Sequence, residues 1–251
     1  FVPQSHGGPG LSLLEVTRLQ QRLAAAAPGT ALAINMHLMT TGVVKALADR
    51  GDDSLNWVFD EVMAGEIFAF GVSEPSNDWV LQGSNTEAVP TADGGYELTG
   101  VKIFTSLSPV WTRLIVHGAV ASDDDGIAGP DADEPAEGQL VYGFIERDVP
   151  GITVSDEWDV LGMRASQSRA TILDHVPMKP ERVSRVIPAG KHPDLLTFAI
   201  TSNFQLLIAA VYAGVAARAL ELGATGLHKR KSAKAGVTFA EVPEARTRLA
   251  D

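Results

Sequence analysis

Phe70-Gly71-Val72-Ser73-Glu74-Pro75 and, further along, Gly94-Gly95-Tyr96-Glu97-Leu98-Thr99-Gly100-Val101-Lys102-Ile103-Phe104-Thr105-Ser106 are the stretches on which the fold turns. Asp93-Gly94-Gly95 tolerates positive φ, so Thr86 to Val89 and Tyr96 to Thr105 are predicted to form a hairpin. Phe68 to Ser73 reads as a strand before it. Leu114 to Ala119, Leu140 to Glu146, Gly151 to Val154 and Ser168 to Leu173 continue the texture, short runs of Val, Ile, Thr, Tyr and Phe between Gly, Asp, Pro and Asn. Six or seven such strands with no helix between them predict an antiparallel closed barrel or sandwich, not a nucleotide-binding α/β sheet.

Helical texture flanks this region on both sides. Ser12 and Glu15 fit a capping box, with Leu13, Val16, Leu19 and Leu23 at helical spacing behind them. Ala31 to Leu47 repeats the pattern, Gly42 being its weak point, and Ser54 to Met63 is a third helix with Ser54 as its cap. Beyond Pro188, Leu195 to Leu227 holds apolar residues at most core positions and no proline; Gly214 and Gly223 point to close packing against a neighbour. Pro243 suits the first turn of one more helix, which the chain's end cuts off. The expected class is therefore α+β in three parts: residues 1–65 as a partial N-terminal helical domain, 66–186 as a β-barrel, and 187–251 as a truncated C-terminal helical bundle.

The chain of 251 residues, 45% hydrophobic and 20% charged, has the composition of an ordinary globular protein. It contains no cysteine, which excludes disulfides, thiolate catalysis and cysteine-ligated metals and suits a reducing cytoplasm. A net charge of −11 argues against nucleic acid as a partner. Seven of the acids fall between Ala121 and Gly138 with no Lys or Arg among them, a stretch expected to be a solvated loop; a metal site at Asp123-Asp124-Asp125 is the weaker reading. The apolar run from Leu206 to Val211, continuing to Ala217, is read as too short to enter a membrane, and no targeting peptide is visible. The histidines lack metal-ligand spacing and there is no Gly-x-Ser-x-Gly element, so metal and serine-hydrolase chemistry are not expected.

Taken together the motifs resemble those of the acyl-CoA dehydrogenase family. Gly71 to Pro75 is similar to that family's strand and Thr/Ser-Glu-Pro turn, Gly94 to Lys102 to its Gly-Gly-Tyr hairpin, and Phe104-Thr105-Ser106 stands where it has Trp-Ile-Thr. Pro150 to Val154, Trp158, Leu161-Gly162-Met163-Arg164 and Val176-Pro177 follow in the family's order, and Pro3 with Gly7 to Gly10 matches its N-terminal turn. The resemblance covers essentially the whole chain.

The resemblance implies bound FAD, its isoalloxazine lying against Phe70, Val72, Ser73, Phe104 and Ser106, with the Ser106 hydroxyl at N5. Such a ring needs an apolar wall and directed donors, and these residues supply both types. The competing reading makes Phe70, Val72 and Phe104 barrel core and Ser73 a turn residue. Arg230 and Ser232 sit at the family's Arg-x-Thr/Ser position, which implies that they hold the FAD pyrophosphate of a neighbouring subunit in a homodimer or homotetramer; a planar guanidinium engages phosphate bidentately. A solvated basic helix end is the alternative there.

The implied reaction is α,β-dehydrogenation of an acyl-CoA thioester, a step of fatty acid metabolism, with hydride passing to the flavin, a glutamate taking the α-proton, and an electron-transfer flavoprotein as acceptor. The expected glutamate lies outside this chain; the family's alternative position reads Ser202-Asn203-Phe204-Gln205 here, and Glu221 is a surface acid by position. Trp79 replaces the family's serine at the acyl pocket and is expected to reshape the substrate site. Pro109, in Leu107-Ser108-Pro109, stiffens the loop after the flavin strand. A flavin monooxygenase on the same fold needs no such glutamate and is the second reading; a non-catalytic binding subunit is the third.

Overall fold

The computed structural model describes residues 1–121, 138–191 and 194–250. The acidic segment from 122 to 137, with its aspartate run, and His192 lie outside the described residues.

Three helices open the chain. Helix α1 (Leu13–Ala26) begins at the expected capping box, the Ser12 N–H donating to the Glu15 carboxylate at 2.8 Å. Helix α2 (Pro28–Ala48) starts three residues earlier than the apolar pattern indicates, because Pro28 is harmless in a first turn whose N–H groups have no helical partner. Helix α3 (Trp57–Met63) starts later than expected. Ser54 does not cap it, since its hydroxyl is spent on Asp52 at 2.6 Å.

Eight strands follow: β1 (Phe68–Gly71), β2 (Glu87–Pro90), β3 (Tyr96–Thr105), β4 (Arg113–Val120), β5 (Gln139–Glu146), β6 (Ile152–Val154), β7 (Arg169–Met178) and β8 (Val183–Pro188). The β2–β3 hairpin turns at Gly94, whose φ is +90°, as the Asp-Gly-Gly sequence requires. The pairing differs from an all-antiparallel sheet, because β1 and β2 both run parallel to β4. Parallel neighbours need a long crossover, and residues 72–112 supply one for β1. Strand β8 was not expected; it closes the order β6-β7-β3-β2-β4-β5-β8 by pairing with β5.

The sheet curls on itself. At Gly143 of β5 a Cβ would lie 2.4 Å from the sulfur of Met178 in β7, so these two non-neighbouring strands meet across the interior. The enclosed core holds Leu98, Trp111, Leu114, Val116, Leu173 and Val176. Alternate residues of β1 and β5 face the other way, where Phe68, Phe70, Tyr142 and Phe144 join Met39 and Val43 of α2. Both faces are thus apolar, and period-two alternation is invisible in the hydropathy of these strands.

Helix α4 (Leu195–Lys229) completes that second core through Leu196, Ile200 and Leu207, and α5 (Pro243–Ala250) follows it. Its start is capped by Asp194, which accepts from the Leu196 and Thr197 N–H groups at 2.8 and 3.1 Å. Gly214 is where α4 crosses α1: a Cβ there would lie 2.2 Å from the Gln21 carbonyl oxygen. By length and composition α2 and α4 are both apolar enough to cross a bilayer, which corrects the reading that the run in α4 is too short. In the fold α2 spends that character on the core, while α4 leaves Phe198, Leu206, Tyr212 and Leu220 more than half or about half exposed.

Candidate functional site

Behind the two signature stretches lies a buried polar knot. Glu74, at the end of the strand-and-turn motif, accepts from Lys102 Nζ at 2.5 Å, from the Ser84 and Thr86 hydroxyls at 2.6 Å each, and from the Asn85 and Thr86 N–H groups at 2.6 and 3.1 Å. Lys102 projects inward from β3 and places its other two donors on the His117 carbonyl at 2.7 Å and His117 Nδ1 at 3.2 Å. With Nδ1 accepting, the other ring nitrogen of His117 carries the proton and donates to the Val80 and Gly83 carbonyls at 2.8 and 3.0 Å. Burial lowers Lys102 to about 8, against the pull of Glu74. Burial is the largest single influence on Glu74 and works to raise it, but the Lys102 charge, the field of His117 and the hydrogen bonds from Lys102 and Ser84 together outweigh it and hold the carboxyl down to about 2. Burial, then the Lys102 charge, pushes His117 down to about 3. At neutral pH the knot is an ammonium, a carboxylate and a neutral imidazole.

This knot fixes the loop from Glu74 to Thr86 against the sheet. Asn77 donates to Glu74 at 2.7 Å and to the Gly83 carbonyl at 3.0 Å, while its oxygen receives the Trp79 N–H at 3.0 Å. The Tyr142 hydroxyl adds a bond of 2.5 Å to the Leu81 carbonyl.

In front of the knot the two stretches cross. The Ile103 N–H donates to the Ser73 carbonyl at 2.8 Å, which sets Ser73 beside Phe104. Phe104 has φ +56°, a conformation a bulky residue adopts only under constraint, and the residue is 59% exposed. Leu107, Met163 and Gln167 also have positive φ, and the Leu107 and Ser108 N–H groups donate to the carbonyls of Ser166 and Gln167 at 3.2 and 3.1 Å. Strained, non-glycine backbone is therefore gathered on one rim. There the Ser106 hydroxyl bonds that of Ser168 at 2.7 Å, and Ser168 bonds Ser166 at 2.8 Å, all three being buried.

Of the residues singled out from sequence, Ser73, Phe104 and Ser106 come together on this rim. Phe70 and Val72 are both in the large helix-facing core, Phe70 lining a narrow cavity with Thr40, Val43, Tyr142 and Ile200. Trp79 is half-buried on the knotted loop and does not line that cavity. Arg230 and Ser232 lie beyond the far end of α4, the Arg230 guanidinium standing over the Phe239 ring and the Ser232 hydroxyl accepting from the Ala235 N–H at 3.1 Å. Sequence reading missed His117, Ser166 and Ser168. A lysine at an inward strand position two residues before Phe104 was the signal for the first; nothing local marks the two serines, which meet Ser106 only through tertiary pairing.

The rim fits a flavin by its donor set. An exposed aromatic residue stands two positions from a hydroxyl, and Glu74 behind them is held in the knot by Lys102. Among the described residues no group of three His, Asp or Glu side chains is arranged to hold a metal.

The chain is 30% identical over 233 residues to L-evernosamine nitrososynthase of a Micromonospora species, covering 88% of this chain and 50% of that protein. It is 28% identical to the putative acyl-CoA dehydrogenase YdbM of Bacillus subtilis, covering 86% of this chain and 51% of that one. The solved structure of butyryl-CoA dehydrogenase from Megasphaera elsdenii superposes on 99% of this chain and 61% of its own, with a TM-score of 0.75 at 20% identity. This is an acyl-CoA dehydrogenase-like chain. KijD3, solved in complex with FMN and an amino-keto sugar nucleotide, gives a TM-score of 0.75 at 26% identity over 99% of this chain and 58% of its own. No family model matches the sequence. The acyl-CoA dehydrogenase-like chain spans about half the length of the curated relatives it matches.

Proposed function

We propose that this acyl-CoA dehydrogenase-like chain is the flavin-binding part of an oxygenase that works with reduced flavin and dioxygen. The observation that carries the reading is the 30% identity to a nitrososynthase; among the described residues, the groups near the rim that could be taken for a base are committed elsewhere. Glu74, the carboxylate of the strand-and-turn motif, is charged, fully buried and paired with Lys102, so it cannot take a substrate proton. In α4, Asn203 is turned onto its own helix, its amide donating to the Ala199 carbonyl at 2.9 Å, and offers no base either. The likeness to an FMN-bound neighbour supports the same reading. A bound flavin would supply either hydride acceptance or, when reduced, activation of dioxygen. Around it Phe104 would wall one face, Ser73 and Ser106 would present polar groups to the ring edge, Phe70 and Val72 would back the strand from the core, and Trp79 would bound the substrate. If the cofactor is FAD, Arg230 and Ser232 would bind its pyrophosphate in a neighbouring subunit; with FMN they have no such role.

Acyl-CoA dehydrogenation is the second reading, favoured by the fold shared with butyryl-CoA dehydrogenase and by YdbM. Its base would have to come from outside these residues. Full-length protein loaded with FMN or FAD decides between the two: oxygen uptake coupled to substrate oxygenation is expected with reduced flavin. Acyl-CoA-dependent reduction of an electron-transfer flavoprotein or dye, without oxygen uptake, would instead favour the dehydrogenase.

A further inference from the structure

We infer that Ser168 and Ser166 act as positioning residues that turn the Ser106 hydroxyl proton outward, toward a ring nitrogen of the oxidised flavin. This deepens the flavin reading and rests on it.

Each serine hydroxyl has one proton to donate and can accept two. The three oxygens form a chain, Ser106 to Ser168 at 2.7 Å and Ser168 to Ser166 at 2.8 Å. Ser166 ends it: its side chain is fully buried and Ser168 is its only side-chain hydrogen-bond partner among the described residues. If the donors ran from Ser106 to Ser166, the last proton would be buried with nothing to accept it, a loss of about 1–3 kcal/mol. The sound direction starts at Ser166, which donates to Ser168. One proton is then left over at the open end of the chain. Ser106 is that end: it lies two residues from Phe104, whose exposed ring marks the ligand side, and it is slightly accessible where Ser166 is not. Ser168 is the middle of the chain, bonded to both other hydroxyls, and having accepted from Ser166 it donates to Ser106. The rim's strained turns, with Leu107 tied to Ser166 and Ser108 to Gln167, hold the three oxygens in line. Ser106 thus meets the ring already oriented and polarised by the hydroxyls behind it.

The test is a double-mutant cycle on full-length protein, read by flavin dissociation constant, the visible flavin spectrum and the midpoint potential. Ser106→Ala is expected to weaken binding of oxidised flavin about tenfold and shift its spectrum. Ser168→Ala should move all three readouts in the same direction by a smaller amount, Ser168→Thr should restore them, and the Ser106→Ala/Ser168→Ala pair should be no worse than Ser106→Ala alone. A Ser168→Ala protein with wild-type flavin spectrum and potential, an effect larger than that of Ser106→Ala, or additive effects would overturn the inference while leaving the flavin reading intact. Wild-type protein that binds neither FMN nor FAD would overturn both. Should Ser168→Ala fail to fold, Ser166→Ala carries the same cycle, with the same outcomes for and against.

Discussion

The ammonium of Lys102 and the carboxylate of Glu74 lie 2.5 Å apart with neither side chain exposed to solvent. Each also has further partners, so the pair is one joint of a network that ties strand β3 to the loop carrying Trp79. Replacing one member of such a buried pair strands the other charge. Lys102→Met should lower the unfolding free energy by about 3–5 kcal/mol, and pairing it with Glu74→Gln should recover part of that loss. Urea unfolding of the two variants checks both numbers; a Lys102→Met protein as stable as wild type would contradict the account.

Acid should destabilise the fold well before carboxylates titrate. Burial lowers His37 to about 4, where its Nδ1 accepts the Phe68 N–H at 3.1 Å, and His117 is lowered to about 3. Both are bases whose folded pKa lies below the unfolded value of about 6.5. Above that value stability is complete; as pH falls below it, the unfolded chain takes up protons that the folded chain refuses. Near pH 5 the slope should approach two protons, about 2.7 kcal/mol per pH unit. Glu74 adds its share lower down, its stabilisation being lost as pH falls from about 4.3 toward a folded value of about 2. Unfolding free energy measured against pH should show the histidine slope, and His117→Gln should reduce it by about one proton.

Two glycines of α4 should respond oppositely to the same change. At Gly214 a Cβ would lie 2.2 Å from the Gln21 carbonyl and 2.9 Å from Ala24 Cβ, so alanine must push α1 away, at about 1–3 kcal/mol. At Gly226 there is nothing within 4 Å, so alanine should stabilise by up to about 1 kcal/mol. Thermal and urea unfolding of the two single variants gives the comparison.

Phe104 holds a left-handed backbone while more than half of the residue is exposed. Phe104→Gly removes that conformational conflict, so stability should stay within about 1 kcal/mol of wild type. Flavin affinity should nonetheless fall about tenfold with the loss of the wall. A variant that binds flavin normally would remove Phe104 from the site.

The hairpin at Gly94, the capped start of α1 and the long helix α4 were all legible, because each depends on residues within a few positions of one another. Strand β8 was not, since Ser184 and Arg185 interrupt its apolar run and only pairing with β5 makes it a strand. The parallel pairing of β1 with β4 was equally hidden, being decided by a crossover of some forty residues. In the site, motif order pointed to Ser73, Phe104 and Ser106. Ser166 and Ser168 carry no local mark and come to Ser106 only because the Leu107 and Ser108 amides reach across to the 166–167 backbone.

Helix α4 is wedged against α1 at Gly214 and runs on for sixteen residues to Arg230. That overhang is about 24 Å long, a cantilever whose fulcrum is a glycine. A tilt of about 5° at the fulcrum displaces the tip by roughly 2 Å over such a length, comparable to the reach of a hydrogen bond. Substitutions at Gln21 or Ala24, far from Arg230 in the chain, thereby acquire mechanical leverage over where that guanidinium is delivered.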